Sequence, residues 1–156
     1  MPQSAQISEF LAKYTPETAA QLQSARKQLT EYFPRGFELV YDNYNALVFG
    51  ISSSERASDA IVSLAGYPKW VTLFFLQGKT LNDPTHILEG SGSQVRSVRL
   101  QPLAKLQEPA VRALIIAAKA AASSALDTSP PFSTIIKSVS AKQRERRPPE
   151  TGRRSV

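Results

Sequence analysis

Apolar and polar residues change their spacing several times along the chain, and each change marks an element. Leu22, Ala25, Leu29 and Phe33 recur at helical intervals, while Gln21, Arg26, Lys27 and Glu31 take the outer side. Thr15 suits the N-cap, Pro16 the first helical position and Glu17 the positive end of the dipole, so the spacing predicts a helix over Pro16–Tyr32 that stops before Pro34-Arg35-Gly36. A short helical turn over Ser8–Tyr14, anchored by Phe10 and Leu11, precedes it. From Phe37 the period becomes two: Phe37, Leu39 and Tyr41 alternate with Glu38, Val40 and Asp42, and Asn43-Tyr44-Asn45 makes the turn into a second strand over Ala46–Ile51. Ala60–Ala65 reads as a third strand, with Gly66-Tyr67-Pro68-Lys69 as its turn.

Trp70–Leu76 is an unbroken apolar and β-branched run ended by Gln77-Gly78, the pattern of a strand covered on both faces at a sheet centre. Ser93, Val95, Ser97 and Arg99 alternate with Gln94, Arg96, Val98 and Leu100 as a half-exposed strand would. The stretch between these two runs is too long for a tight hairpin and is punctuated by Asp83-Pro84 and Gly90-Ser91-Gly92. Glu108-Pro109 then opens a helix over Pro109–Ala122 with Val111, Leu114, Ile115, Ala118 and Ala122 as its apolar stripe. Thr134–Val139 is read as a strand because Pro130-Pro131 and Thr134-Ile135-Ile136 favour extended backbone, although Phe132, Ile135, Ile136 and Val139 also fit helical spacing. The sum is an α+β fold: a single antiparallel sheet of five or six strands packed by two long helices.

Phe74-Phe75-x-x-Gly78-x-x-Leu81-x-Asp83-Pro84, followed by Leu88-x-Gly90-x-Gly92 and Val95-Arg96-x-Val98, resembles the YdhG-like domain family, a family of unknown function. The likeness extends upstream through Tyr41-Asp42-Asn43-Tyr44-Asn45-Ala46-Leu47 and downstream through Ile135–Arg144. It departs from the family's pattern at Ser93 and Ser97, where a Lys and a His are frequent. The resemblance implies a small α+β fold and, as in some bacterial members, a proposed frataxin-like handling of iron without an established reaction.

Composition narrows the chemistry. The chain has 156 residues, no cysteine and one histidine, His86, which excludes disulfides, thiolate nucleophiles and cysteine or His-rich metal clusters. No apolar run reaches the roughly 20 residues of a membrane span, and Met1–Gln6 lacks the layout of a signal peptide, so the expectation is a cytoplasmic protein with no membrane partner. The net charge of +6 is concentrated at the C-terminus. Residues 141–156 hold Lys142, Arg144, Arg146, Arg147, Arg153 and Arg154 against Glu145 and Glu150, a net +4 that leaves +2 for residues 1–140. With almost nothing apolar to bury, that segment is expected to be a disordered basic tail after a domain ending at Ser140, able to attract nucleic acid only weakly.

The candidate ligand-binding residues form two groups. Tyr41, Asn43, Tyr44 and Asn45 at a strand end, above Trp70 as an aromatic floor, offer hydrogen bonds to a small ligand. Gly90, Ser91, Gly92 and Ser93, backed by Arg96 and Lys79, offer backbone N–H groups and cations to a phosphate or carboxylate. Turn chemistry explains the same asparagines and glycines without a ligand. Asp83 with Glu89, and Asp42 with Glu38, are the pairs a hard cation would use, but no acidic ridge accompanies them. No catalytic set, metal site or cofactor is implied: His86 has no serine-and-carboxylate pattern beside it. The leading expectation is a non-enzymatic module for a small anionic ligand or a protein partner.

Overall fold

A computed structural model describes residues 3–148. The elements run α1 (Gln3–Leu11), α2 (Pro16–Thr30), β1 (Phe37–Asp42), β2 (Leu47–Ser52), β3 (Ala60–Gly66), β4 (Val71–Phe75), β5 (Arg96–Leu100), α3 (Pro109–Ala121), α4 (Ser123–Asp127) and β6 (Ser133–Val139), with short 3-10 turns between some of them. The fold is α+β with one six-stranded sheet in the order β5-β4-β3-β2-β1-β6. Thr15 caps α2 through its hydroxyl, which accepts from the Thr18 amide, and Pro16 opens the helix as its fixed φ favours. α1 begins earlier than the Ser8–Tyr14 turn expected from Phe10 and Leu11, and buries Ile7 in addition to those two.

β1 to β5 form the expected meander, each strand antiparallel to the next. β6 corrects the expectation of a purely antiparallel sheet, because it pairs parallel to β1. The reason lies in the connection. The chain leaves β5 at one edge, passes through α3 and α4, and returns to the far edge at the start of β1, where Gly36 donates to the Pro130 carbonyl and Phe132 to that of Pro34. A strand that enters beside its neighbour's first residue must run in the same direction, as helical crossovers require. Thr134–Val139 is a strand, as the β-branched run suggested.

The core gathers on one face of the sheet. Val40, Phe49, Leu64 and Leu73 line up across the central strands and are fully or almost fully buried. Leu22, Ala25 and Leu29 of α2 and Val111, Leu114 and Ile115 of α3 join the same cluster. Phe75 is fully buried in it, whereas its neighbour Phe74 projects to the opposite face and is half-buried. Among the described residues no helix is long and apolar enough to cross a membrane.

The C-terminal segment departs most from expectation. As far as Pro148 it lies against the domain: Ser140 donates to the Asp42 carbonyl, Arg144 to that of Tyr44, and Arg146 is only 2% exposed. Residues 149–156, with Arg153 and Arg154, lie outside the described residues.

Candidate functional site

The meander separates the two expected ligand groups. The β1–β2 turn, with Asn43, Tyr44 and Asn45, and the β3–β4 turn, with Trp70, sit at one end of the sheet. Lys79 and the Gly90–Arg96 loop sit at the other, because Arg96 pairs with Phe75 at the far end of β4. At about 3.3 Å per residue, the five residues of β4 hold the groups roughly 17 Å apart. One small ligand cannot contact both.

At the Gly90 end, the loop consumes its own chemistry. Nη1 of Arg96 donates to the carbonyls of Gly92 and Val95, both at 2.8 Å, so the guanidinium tightens the turn beneath it. Glu89 and Ser97 exchange two 2.9 Å backbone bonds, and Asp83 accepts from the Ile87 and Leu88 amides. The backbone of residue 78 passes so near β5 that a Cβ there would stand 2.5 Å from that of Arg96, which requires glycine. Gly90, Ser91, Gly92 and Ser93 are exposed, and so is Lys79. Their arrangement is that of a self-bonded loop.

At the Trp70 end, a charged cluster that the sequence did not reveal organises the turns. Asp42, at the end of β1, is fully buried beneath the helices. Its carboxylate accepts from Lys13 Nζ at 2.6 Å, from Gln143 Nε2 at 3.0 Å and from Arg146 Nη1 at 2.5 Å. Arg146 also donates to the Asn43 carbonyl, while its guanidinium stands 5.5 Å from the centre of the Tyr14 ring. Burial by itself raises the Asp42 pKa, but the hydrogen bonds from Lys13, Gln143 and Arg146, with the Arg146 charge, outweigh it and hold the carboxyl below its usual value. The Tyr14 hydroxyl donates to the Gly66 carbonyl at 2.6 Å and accepts from the Leu47 amide at 2.9 Å, tying both turns to the helical layer. Desolvation raises its pKa, so it stays neutral.

This clasp fixes the direction of the residues beside Arg146. Arg144 and Arg147 are exposed and flank a cleft of about 490 Å3 whose other wall is Pro68, Lys69 and Trp70. Pro148 closes one side and Glu145 adds the only carboxylate of the lining. None of Lys69, Arg144 or Arg147 forms a salt bridge among the described residues. Behind the cleft, the Arg99 guanidinium stands 3.8 Å from the centre of the Trp70 ring and holds it by a cation–π contact without entering the lining. Three cations against one acid, around an indole, can hold an anion that also has a flat or apolar part.

The remaining candidates divide between structural and unassigned roles. Asn43 and Tyr44 give their carbonyls to Arg146 and Arg144, so the turn supports the clasp. Tyr41 points to the face opposite the helices; its hydroxyl is shielded, has no partner among the described residues, and is kept protonated by desolvation. Glu38 accepts two bonds from Arg26, at 2.7 and 2.8 Å, and one from Thr134. Both acidic pairs considered for a hard cation are therefore broken up by internal partners at Asp42, Glu38 and Asp83, and no three His, Asp or Glu side chains converge as metal ligands among the described residues. No family model, curated protein or solved structure matched the chain.

Proposed function

We propose that this chain is a non-enzymatic binding module for an anionic ligand or partner, which it receives in the cleft between the Pro68–Trp70 turn and the C-terminal segment. The observation that carries the reading is the convergence of three exposed cations, Lys69, Arg144 and Arg147, on the single tryptophan of the chain. Arg147 gives one exposed bond of 3.2 Å to the Ala12 carbonyl and keeps its other donors, and none of the three cations faces a carboxylate in an ion pair among the described residues. They therefore retain capacity for charge-assisted hydrogen bonds, in contrast to Arg96, which ties its own loop. Membership of the YdhG-like family belongs to the same proposal and rests on the residue pattern from Phe74 to Val98, with its outliers at Ser93 and Ser97. Iron handling has less to rest on, since the acids it would use already hold Lys13, Arg146 and Arg26.

Amide chemical-shift mapping with inorganic polyphosphate at low ionic strength tests the reading. Shifts should centre on Lys69, Trp70 and residues 144–147. Shifts centred on Lys79 and Gly90–Arg96 would move the site to the opposite end of the sheet.

A further inference from the structure

We infer that the Trp70 cleft takes single-stranded nucleic acid, with one base stacked against the indole and the neighbouring phosphates on Arg144, Arg147 and Lys69; this rests on the anion-binding reading above. Three observations point beyond a simple anion. The Trp70 ring is fixed in place by Arg99 at 3.8 Å, yet it remains part of the cleft wall, so it is a preformed platform. Pro68 and Pro148 flank it with rigid apolar surface that a bare phosphate would leave unused. Two of the three cations are arginines, whose planar fork suits phosphate oxygens, and the buried Arg146 between them sets their direction.

The same arrangement favours unpaired bases. A base inside a duplex has both faces covered by its neighbours, whereas a single strand can present one to an aromatic ring. The cleft wall offers Trp70 as a stacking partner and exposed cations that suit phosphates, which carry no sequence information, so recognition should be nearly independent of sequence. Charge continues past the described residues, where the sequence places Arg153 and Arg154.

The test uses the full chain, an end-labelled oligo(dT) of about ten nucleotides read by anisotropy, the matching duplex, and inorganic polyphosphate as competitor. Oligo(dT) should quench Trp70 fluorescence, and its affinity should fall with salt on a log–log slope of about −2 if three phosphates are neutralised. Trp70→Leu should weaken oligo(dT) roughly tenfold while leaving polyphosphate binding unchanged. The duplex should compete poorly. Should Trp70→Leu lower the melting temperature, Trp70→Phe keeps a smaller ring and should lose less affinity than the leucine variant. Oligo(dT) and polyphosphate that both bind, with neither affected at Trp70, would overturn the base-stacking inference and leave the anion reading standing. Binding of neither at about 50 mM salt would overturn both.

Discussion

Asp42 and Arg146 decide how the C-terminus behaves, because each is buried and each would be left uncompensated by loss of the other. Removing one partner of a buried ion pair commonly costs about 3–5 kcal/mol, whereas replacing both with apolar groups is often near neutral. Arg146→Ala leaves Asp42 with Lys13, so the loss should fall near the lower end, about 3 kcal/mol by urea unfolding. Asp42→Asn should cost as much, and Asp42→Asn combined with Arg146→Met should recover part of it. A loss below roughly 0.5 kcal/mol for Arg146→Ala would show that the clasp contributes nothing. The pH dependence has a definite sign. Since the folded-state pKa of Asp42 is lowered, its contribution is fully present above the unfolded carboxyl value of about 3.9 and is lost as pH falls through the lower folded value. The wild type should therefore lose more stability below about pH 4 than the Asp42→Asn, Arg146→Met variant does.

None of this was legible in the residues themselves. Arg146 lies in the same basic, proline-containing run as its exposed neighbours Arg144 and Arg147, and composition cannot distinguish a buried guanidinium from a solvated one. Its partner stands 104 positions earlier. Arg96 shows the converse: beside two glycines it reads as an anion ligand, while its Nη1 donates to two carbonyls of its own loop. Trp70 reads in the sequence as an aromatic floor beneath Tyr41, Asn43, Tyr44 and Asn45, and the structure sets other residues around its ring. The asparagine turn braces the clasp, and Lys69, Arg144 and Arg147 face the ring.

At the level of elements, local patterning was a sound guide wherever burial decides the period. In Phe37 to Asp42 the side chains alternate between faces as a strand period requires, but burial does not follow polarity: Glu38, Val40 and Asp42 turn to the helices and Leu39 is buried on the opposite face. Pairing direction is a different matter. β6 lies next to β1 because α3 and α4 carry the chain across the molecule, and nothing within Ser133–Val139 encodes parallel or antiparallel pairing. Phe74 and Phe75 give a test of strand orientation. Phe75→Ala should cost about 3–5 kcal/mol by thermal or urea unfolding, and Phe74→Ala distinctly less, because only Phe75 fills the core beneath the helices. Equal losses would contradict the facing assigned to β4. Truncation after Ser140 is the matching test for the C-terminal segment. Simple hydrophobic accounting expects no change, but removal of Gln143 and Arg146 should destabilise at least as much as Arg146→Ala does.

For the whole molecule, the sheet acts as a spacer with two unlike ends. One end is closed by a loop bonded to itself, and the other gathers the β1–β2 and β3–β4 turns under a basic segment held by a buried carboxylate. Of the cations that look like a loose tail in the sequence, Arg144 and Arg147 are thereby placed beside Trp70, while Arg146 is buried against Asp42. The most direct test is a polyphosphate titration at low salt, followed by the fluorescence of the single tryptophan, comparing wild type with an Arg144→Glu, Arg147→Glu variant. Both residues are exposed and outside the ion pair, and the variant loses only the exposed 3.2 Å bond from Arg147 to the Ala12 carbonyl, so it should melt close to the wild-type temperature. A saturable change in the wild type that disappears in the variant is the predicted result, and an identical response from both proteins would contradict the placement of the binding site at Trp70.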